Sequence, residues 1–217
     1  MRPDSSIQRD VEAELKWNPE VDDSDIAVKV SSGVVTLVGV ARDLREKHAA
    51  EIAAKRVSGV TAVANEIQVR WDSGTRPTDS ELAHQVLVAL KREFPVSWEK
   101  IKPVVHDGRV FLEGTVEWNF QRERAELFAR EVPGILELRN AIKVRPTIAA
   151  TDIKRKIEEA FRRNAELDAQ QISVEAAGSE VTLSGTVRSW AERDQAQKSA
   201  WSAPGVTGVH NELNIRT

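Results

Sequence analysis

The residues able to carry catalytic or metal chemistry are few in this chain, and their spacing does not favour it. The 217 residues include no cysteine, which excludes disulfides, thiolate metal sites and cysteine nucleophiles. The histidines His48, His84, His106 and His210 show neither H-x-x-x-H nor H-E-x-x-H spacing. Ser184 lies in V-T-L-S-G-T, which is not the G-x-S-x-G of a nucleophile elbow. The sequence therefore predicts no catalytic residue, no metal site and no cofactor.

Charge is too evenly spread to favour a nucleic-acid-binding surface. The chain has 31 basic and 34 acidic residues, and its net charge is −3. The net charges of 1–72, 73–146 and 147–217 are −3, +1 and −1, whereas a surface that follows phosphates needs a basic excess. We predict no nucleic-acid partner. We also predict no transmembrane segment, because no apolar run approaches the roughly 20 residues that a spanning helix needs.

The most basic stretch of the chain is a candidate contact for anionic headgroups. It contains Lys154, Arg155 and Lys156, followed by Arg162 and Arg163. Each well-placed basic residue near an anionic membrane contributes about 1 kcal/mol to binding. The alternative is that these residues form only the solvated face of a helix.

Tryptophan provides the second candidate contact, since the chain has six tryptophans and no tyrosine. Trp118 and Trp190 lie in the predicted turns that lead into two helices. Tryptophan has a large apolar body with one polar N–H, which suits membrane and protein interfaces. Contact with a partner and packing between neighbouring parts of the chain both explain these positions.

These candidate residues belong to a unit that occurs three times. The sequence V-T-L-V-G recurs as V-F-L-E-G and V-T-L-S-G, with final glycines separated by 75 and 71 residues. Two further landmarks follow at constant offsets in all three copies, which align without a gap. The landmarks are Gly39, Gly114 and Gly185; Gly59, Gly134 and Gly205; and Asn65, Asn140 and Asn211.

Each copy is predicted to fold as α-β-β-α-β. Apolar residues at i, i+4 and i+8, such as Ile7, Val11 and Leu15, indicate one face of a first helix. Small hydroxyl residues are predicted to open this helix, namely Ser5, Ser80 and Thr151. A hairpin, a second helix that ends at a glycine and a third strand follow.

This order of elements fixes the fold class as α+β. A hairpin makes the first two strands antiparallel, and a helical crossover makes the second and third parallel. We therefore predict three tandem units, each a small three-stranded mixed sheet with two helices packed on one face. Their predicted boundaries are 4–71, 78–146 and 149–217. Apolar positions such as Val21, Val96 and Leu167 are equivalent and are expected in the three cores.

The repeated pattern resembles the BON domain, a family named for bacterial osmotically inducible and nodulation proteins. The resemblance rests on V-x-L-x-G after a glycine turn, a helix ended by Gly-Val or Gly-Ile, and then V-x-N-x-Ile or Leu. It implies a bacterial protein with an αββαβ fold, attachment to phospholipid membranes, and a role in osmotic or envelope stress. The family's glycines map onto the two sets of glycines given above, which are positions of the fold without chemistry.

The resulting hypothesis is a non-enzymatic binding module whose partner is an anionic phospholipid surface. The alternative is a cytoplasmic scaffold or stress adaptor that binds proteins and no lipid. The chain opens with Met1-Arg2-Pro3-Asp4 and no apolar signal segment, so we expect a cytoplasmic location that allows contact with the inner membrane.

Overall fold

A computed structural model of the chain describes residues 2–71, 74, 76–145 and 152–216. It contains three sheets and six α-helices, arranged as three repeats of the same unit. The α+β prediction is therefore confirmed. No helix in these described ranges is long and apolar enough to cross a membrane.

The first repeat has the predicted order of elements. They are α1 (Asp4–Trp17), β1 (Ile26–Ser31), β2 (Val34–Ala41), α2 (Leu44–Arg56) and β3 (Ala62–Val69). The central strand β2 pairs antiparallel with β1 and parallel with β3. Ile7, Val11 and Leu15 of α1 are buried, together with alanines of α2, so both helices cover one face of the sheet.

The second and third repeats follow the same plan. The second consists of α3 (Asp79–Glu93), β4 (Ile101–His106), β5 (Arg109–Val116), α4 (Asn119–Arg130), β6 (Glu137–Asn140) and β7 (Lys143–Val144). Its third strand is interrupted, since β6 and β7 pair with successive parts of β5. The third consists of α5 (Ile153–Arg163), β8 (Ile172–Ala177), β9 (Glu180–Val187), α6 (Trp190–Trp201) and β10 (Gly208–Ile215).

One predicted core position differs in the second repeat. Val21 and Leu167 are buried, but the equivalent Val96 is 96% exposed. Phe94 is buried instead, two residues earlier, at the end of a helix that is one residue longer than α1. The large aromatic side chain fills the space, and the following segment carries Val96 outward. The expectation for Val96 was therefore wrong.

The predicted helix-opening hydroxyls were also wrong. The first helical residues are Asp4 and Asp79, one before Ser5 and Ser80, and the residue that caps α3 is Thr78. Thr151 lies outside the described residues. The carboxylate of Asp4 accepts from the hairpin amides of residues 32 and 33, at 2.8 and 3.0 Å.

The glycine that follows the V-x-L motif is required by close backbone packing. Gly39 has φ +151°, and a Cβ there would lie 1.9 Å from the carbonyl oxygen of Asp25. Gly185 is alike, with φ +119° and 2.1 Å to the carbonyl oxygen of Gln171. Any side chain at these positions would displace the segment before the first strand of the repeat.

The described residues group into two compact units. One contains the residues up to Glu113 with Ala125–Ala141. The other contains Gly114–Arg124 and the described residues from Ile142 to Arg216. The second repeat therefore contributes residues to both.

Candidate binding surface

The start of the second helix is held by a buried carboxylate in two of the repeats. In the third repeat, Glu192 accepts from the backbone N–H groups of Arg188 and Asp168, at 2.7 and 2.8 Å. The Arg188 guanidinium also donates to it, at 3.1 Å. In the first repeat, Glu46 accepts from the N–H groups of Asp22 and Arg42, both at 2.7 Å. The bonds from the N–H groups of Asp22 and Asp168 fasten the loop before the first strand to the second helix of each repeat.

Different residues occupy these positions in the second repeat. Gln121 stands in place of the glutamate and accepts from the N–H groups of Glu117 and Trp118, both at 3.1 Å. Trp118 stands where the other repeats have Asp43 and Ser189, whose side chains accept the N–H of the residue three further on. A tryptophan side chain offers no such acceptor. The start of this helix therefore lacks the capping side chain that stabilises the other two, and such a departure is typical of a functional position.

Trp118 lies beside a second exposed aromatic side chain, Phe120. Trp118 is 38% exposed and Phe120 is 55% exposed. Phe120 is equivalent to Arg45 and Ala191 in the other repeats, so the aromatic character of this surface belongs to the second repeat alone. Sequence reasoning missed Phe120, although this difference between repeats was the available signal.

Both rings line a cavity of about 310 Å³ together with residues of α6. Lys198, Trp201 and Ser202 also line it. The guanidinium of Arg122 lies 4.5 Å from the centre of the Trp201 ring, a cation–π contact. Trp201 is buried, although the equivalent residues of the other repeats are charged.

The basic stretch predicted from the sequence lies on α5, and part of it is neutralised there. Lys154 pairs with Glu158 at 3.8 Å. Arg155 pairs with Asp152 at 2.8 Å and with Glu159 at 2.7 Å. Hydrogen bonds to these two carboxylates, that to Asp152 foremost, raise the pKa of Arg155 above its ordinary value. Lys154 and Arg155 therefore behave as a solvated helix face.

The remaining cations have no acidic partner within the described part of the chain. They are Lys156, Arg162 and Arg163. Lys156 and Arg163 line a groove of about 350 Å³ between α5 and the end of α6, whereas Arg162 does not. Glu159 and Ser202 are also part of its lining.

Ser202 lines both the groove and the aromatic cavity. The two depressions therefore meet at the end of α6 and join the two sets of candidate residues. We name this the aromatic–basic surface, and its members are Trp118, Phe120, Lys156, Arg163, Lys198 and Ser202. Trp190 is not part of it, since it lies at the opposite end of α6, half-buried and 5.2 Å from the guanidinium of Arg193.

Nothing in the described ranges resembles a metal centre, because no three His, Asp or Glu side chains converge as ligands there. His210 pairs with Glu180 at 3.3 Å, and His106 lies 3.2 Å from Asp107 on the exposed hairpin. His48 is half-buried, and burial, with the neighbouring charge of Arg130, lowers its pKa.

Comparison with known proteins agrees with the repeat structure. The model of the BON domain matches residues 3–70, 78–146 and 149–217. Osmotically-inducible protein Y of Escherichia coli (strain K12) is 32% identical over 150 residues, which are 65% of this chain and 73% of that protein.

Two solved structures from secretion systems give weaker matches. CdsD, a structural protein of the Type III secretion system of Chlamydia trachomatis, is 13% identical, with a TM-score of 0.27 over 97% of this chain and 92% of its own. The periplasmic domain of the inner-membrane protein PrgH from S. typhimurium is 10% identical, with a TM-score of 0.24 over 88% and 99%. Similarity at this level carries no argument. The three family matches and the conserved order of elements establish that this chain belongs to the BON domain family, with three tandem copies.

Proposed function

We propose that the chain is a non-catalytic binding module that attaches to anionic phospholipid surfaces. The observation that carries this proposal is the aromatic–basic surface, where exposed Trp118 and Phe120 adjoin Lys198, Lys156 and Arg163 through Ser202. Aromatic rings enter the boundary between headgroups and acyl chains, and nearby cations attract the phosphates.

A role in osmotic stress goes with this proposal. It is supported by the family and by the name of the E. coli relative, osmotically-inducible protein Y. The near-neutral net charge of the whole chain sets the expected strength. Binding of this kind depends on a local surface rather than on overall attraction, so it is weak and decreases with salt.

Co-sedimentation with vesicles tests the proposal. The chain is mixed with vesicles of neutral phosphatidylcholine, and with vesicles in which a quarter of the lipid is anionic phosphatidylglycerol. We expect binding only to the anionic vesicles. The double variant Trp118→Ser, Phe120→Ser should lower the partition coefficient by about tenfold, since two aromatic side chains no longer enter the interface.

A matched control uses Trp17, which is 85% exposed at the end of α1 in the first repeat. Trp17→Ser removes an even more exposed indole and should leave vesicle binding unchanged. No binding of the original chain to either vesicle would contradict the lipid proposal and favour a protein-binding scaffold. Equal losses in Trp17→Ser and in the double variant would show that the aromatic–basic surface is not the site.

A further inference from the structure

The outer face of the first sheet is apolar and uncovered. Ile26, Val28 and Val30 of β1 face the helices, so the alternate residues of that strand face away from them. On the central strand β2, the outward residues are Val34, Thr36, Val38 and Val40. Val34 and Val38 are 39% and 37% exposed, and they lie on the same face of one strand.

Neighbouring strands extend this apolar face. In the register of the sheet, Val38 lies beside Ala27 of β1, and Val34 lies beside Ala62 of β3. Thr36 lies beside Ala64. Small and β-branched side chains therefore line the central strand and part of both neighbouring strands on this face.

Two positions on this face are polar in the other two repeats. On β5, the positions equivalent to Val34 and Val38 are Arg109 and Glu113. On β9, they are Glu180 and Ser184. The fold itself therefore does not need valine at the positions of Val34 and Val38.

Two opposite charges lie at the two edges of this face. Lys29 on β1 is in register with Thr36, and Glu66 on β3 is in register with Val38. Consider two copies that meet on this face, with a two-fold axis running along β2. Each β1 then lies over the β3 of the other copy. Each Lys29 is then separated from a Glu66 of the other copy by two residues along the strand direction. An axis across the strands would instead bring Lys29 against Lys29.

We propose that the outer face of the first sheet binds the same face of a second copy of this chain. The two copies pack sheet on sheet with aligned strands, the valines at the centre and two Lys29–Glu66 pairs at the edges. The charges fix the direction of the axis, and the valines supply the apolar contact.

The size of the face sets the strength of this dimer. Strands of eight residues in a three-stranded sheet cover roughly 26 by 14 Å, from the usual rise and strand spacing. A stable interface buries about 800 Å² on each partner, which is more than this face offers. The dimer is therefore weak and dependent on concentration.

Sedimentation velocity of the full chain over a wide concentration range tests this proposal. We expect monomer at low and dimer at high concentration. Val38→Lys should weaken the association by at least about tenfold, because it places a charge at the centre of the contact. The matched control is Glu113→Lys, which introduces lysine at the equivalent position of the second repeat and should leave the association unchanged.

Charge exchange gives a second readout that leaves the apolar centre intact. Lys29→Glu should weaken the dimer, and the double variant Lys29→Glu, Glu66→Lys should restore it. A chain that stays monomeric at the highest concentration would overturn the proposal, as would a dimer unaffected by Val38→Lys. A monomer whose vesicle binding is lost in Val38→Lys would overturn it too, and would assign this face to the membrane.

Discussion

The third and second repeats start their second helix in different ways, although their strands have the same order. In the third repeat, the buried Glu192 fastens the loop residue Asp168 to the helix start and pairs with Arg188. In the second repeat, Gln121 accepts from the amides just before its own helix. The N–H of the equivalent loop residue, Ser97, donates to the carbonyl oxygen of Phe94 instead.

This difference distinguishes the features that the fold requires from the features that occur in one repeat. The αββαβ order survives without the buried carboxylate, because the buried Phe94 and the end of α3 hold the loop instead. Trp118 occupies the position that carries the capping side chain in the other two repeats. The second repeat thus has a weaker helix start and an exposed aromatic surface.

The largest expected effect comes from removing the acceptor at the helix start. Glu192→Ala leaves the N–H groups of Asp168 and Arg188 without their partner and should lower the stability of the third repeat by about 2–4 kcal/mol. Gln121→Ala removes weaker, more local bonds and should cost about 1 kcal/mol. Native-state hydrogen exchange measures each repeat separately. Equal costs would remove the distinction between the two helix starts.

The loop before the first strand should also contribute differently to the stability of the first and second repeats. Val21→Ala in the first repeat removes buried methyl groups and should cost about 1–2 kcal/mol, whereas Val96→Ala should change stability by less than about 0.5 kcal/mol. Hydrogen exchange of the two repeats gives both values. A cost for Val96→Ala as large as that for Val21→Ala would contradict the assignment of Phe94 to the core.

Replacing the aromatic residue at the helix start should raise stability. Trp118→Asp supplies a carboxylate that can accept the N–H of Gln121, and we expect a gain of about 0.5–1.5 kcal/mol for the second repeat. Vesicle binding should fall in the same variant. Ser189→Asp is the control, because it exchanges one capping residue for another and should alter neither property appreciably. A loss of stability in Trp118→Asp would show that the indole packs rather than binds.

The smallest expected effect is a change in local stability that occurs only at acidic pH. Burial raises the pKa of Glu192, but hydrogen bonds from Arg188 and the Asp168 N–H outweigh it, so the pKa lies below its ordinary value. A lowered folded pKa means that the contribution is complete above the unfolded pKa of about 4.3 and is lost as the pH falls through the folded value. Exchange of the Asp168 amide should accelerate in that range.

Glu192→Gln is the control for this pH dependence, since an amide does not titrate. The amide of Glu117, which donates to Gln121 in the second repeat, is the internal reference. Acid acceleration that persists in Glu192→Gln would assign the effect to another group.

Constant offsets between glycines and asparagines predicted the three units, because backbone constraints recur in each copy. The spacing of apolar residues and the turn residues within a copy predicted the order of elements and the mixed sheets. Competition between side chains for one space could not be predicted in this way. Phe94 displaces Val96, and Trp201 is buried beneath Arg122 despite its charged counterparts.

The candidate site was predicted in part. The cations and Trp118 were identified by residue type, and the spacing of Arg155 and Glu159 was compatible with an ion pair within the helix. The cations and Trp118 meet at Ser202 because of the way in which α5, α6 and residues 118–123 pack. No periodic pattern in the sequence indicates this packing. Lys198 entered the surface only through that packing, whereas the difference from Arg45 and Ala191 was the available signal for Phe120.

The most direct test of lipid attachment compares two charge reversals on the same helix. Lys156→Glu, Arg163→Glu changes the groove, whereas Lys154→Glu, Arg162→Glu makes the same change in charge outside it. We expect the first variant to lower the partition coefficient on anionic vesicles by about tenfold or more, and the second to have a clearly smaller effect. Equal losses would show that binding depends only on the net charge of α5. No loss in either variant would contradict the assignment of lipid binding to the aromatic–basic surface.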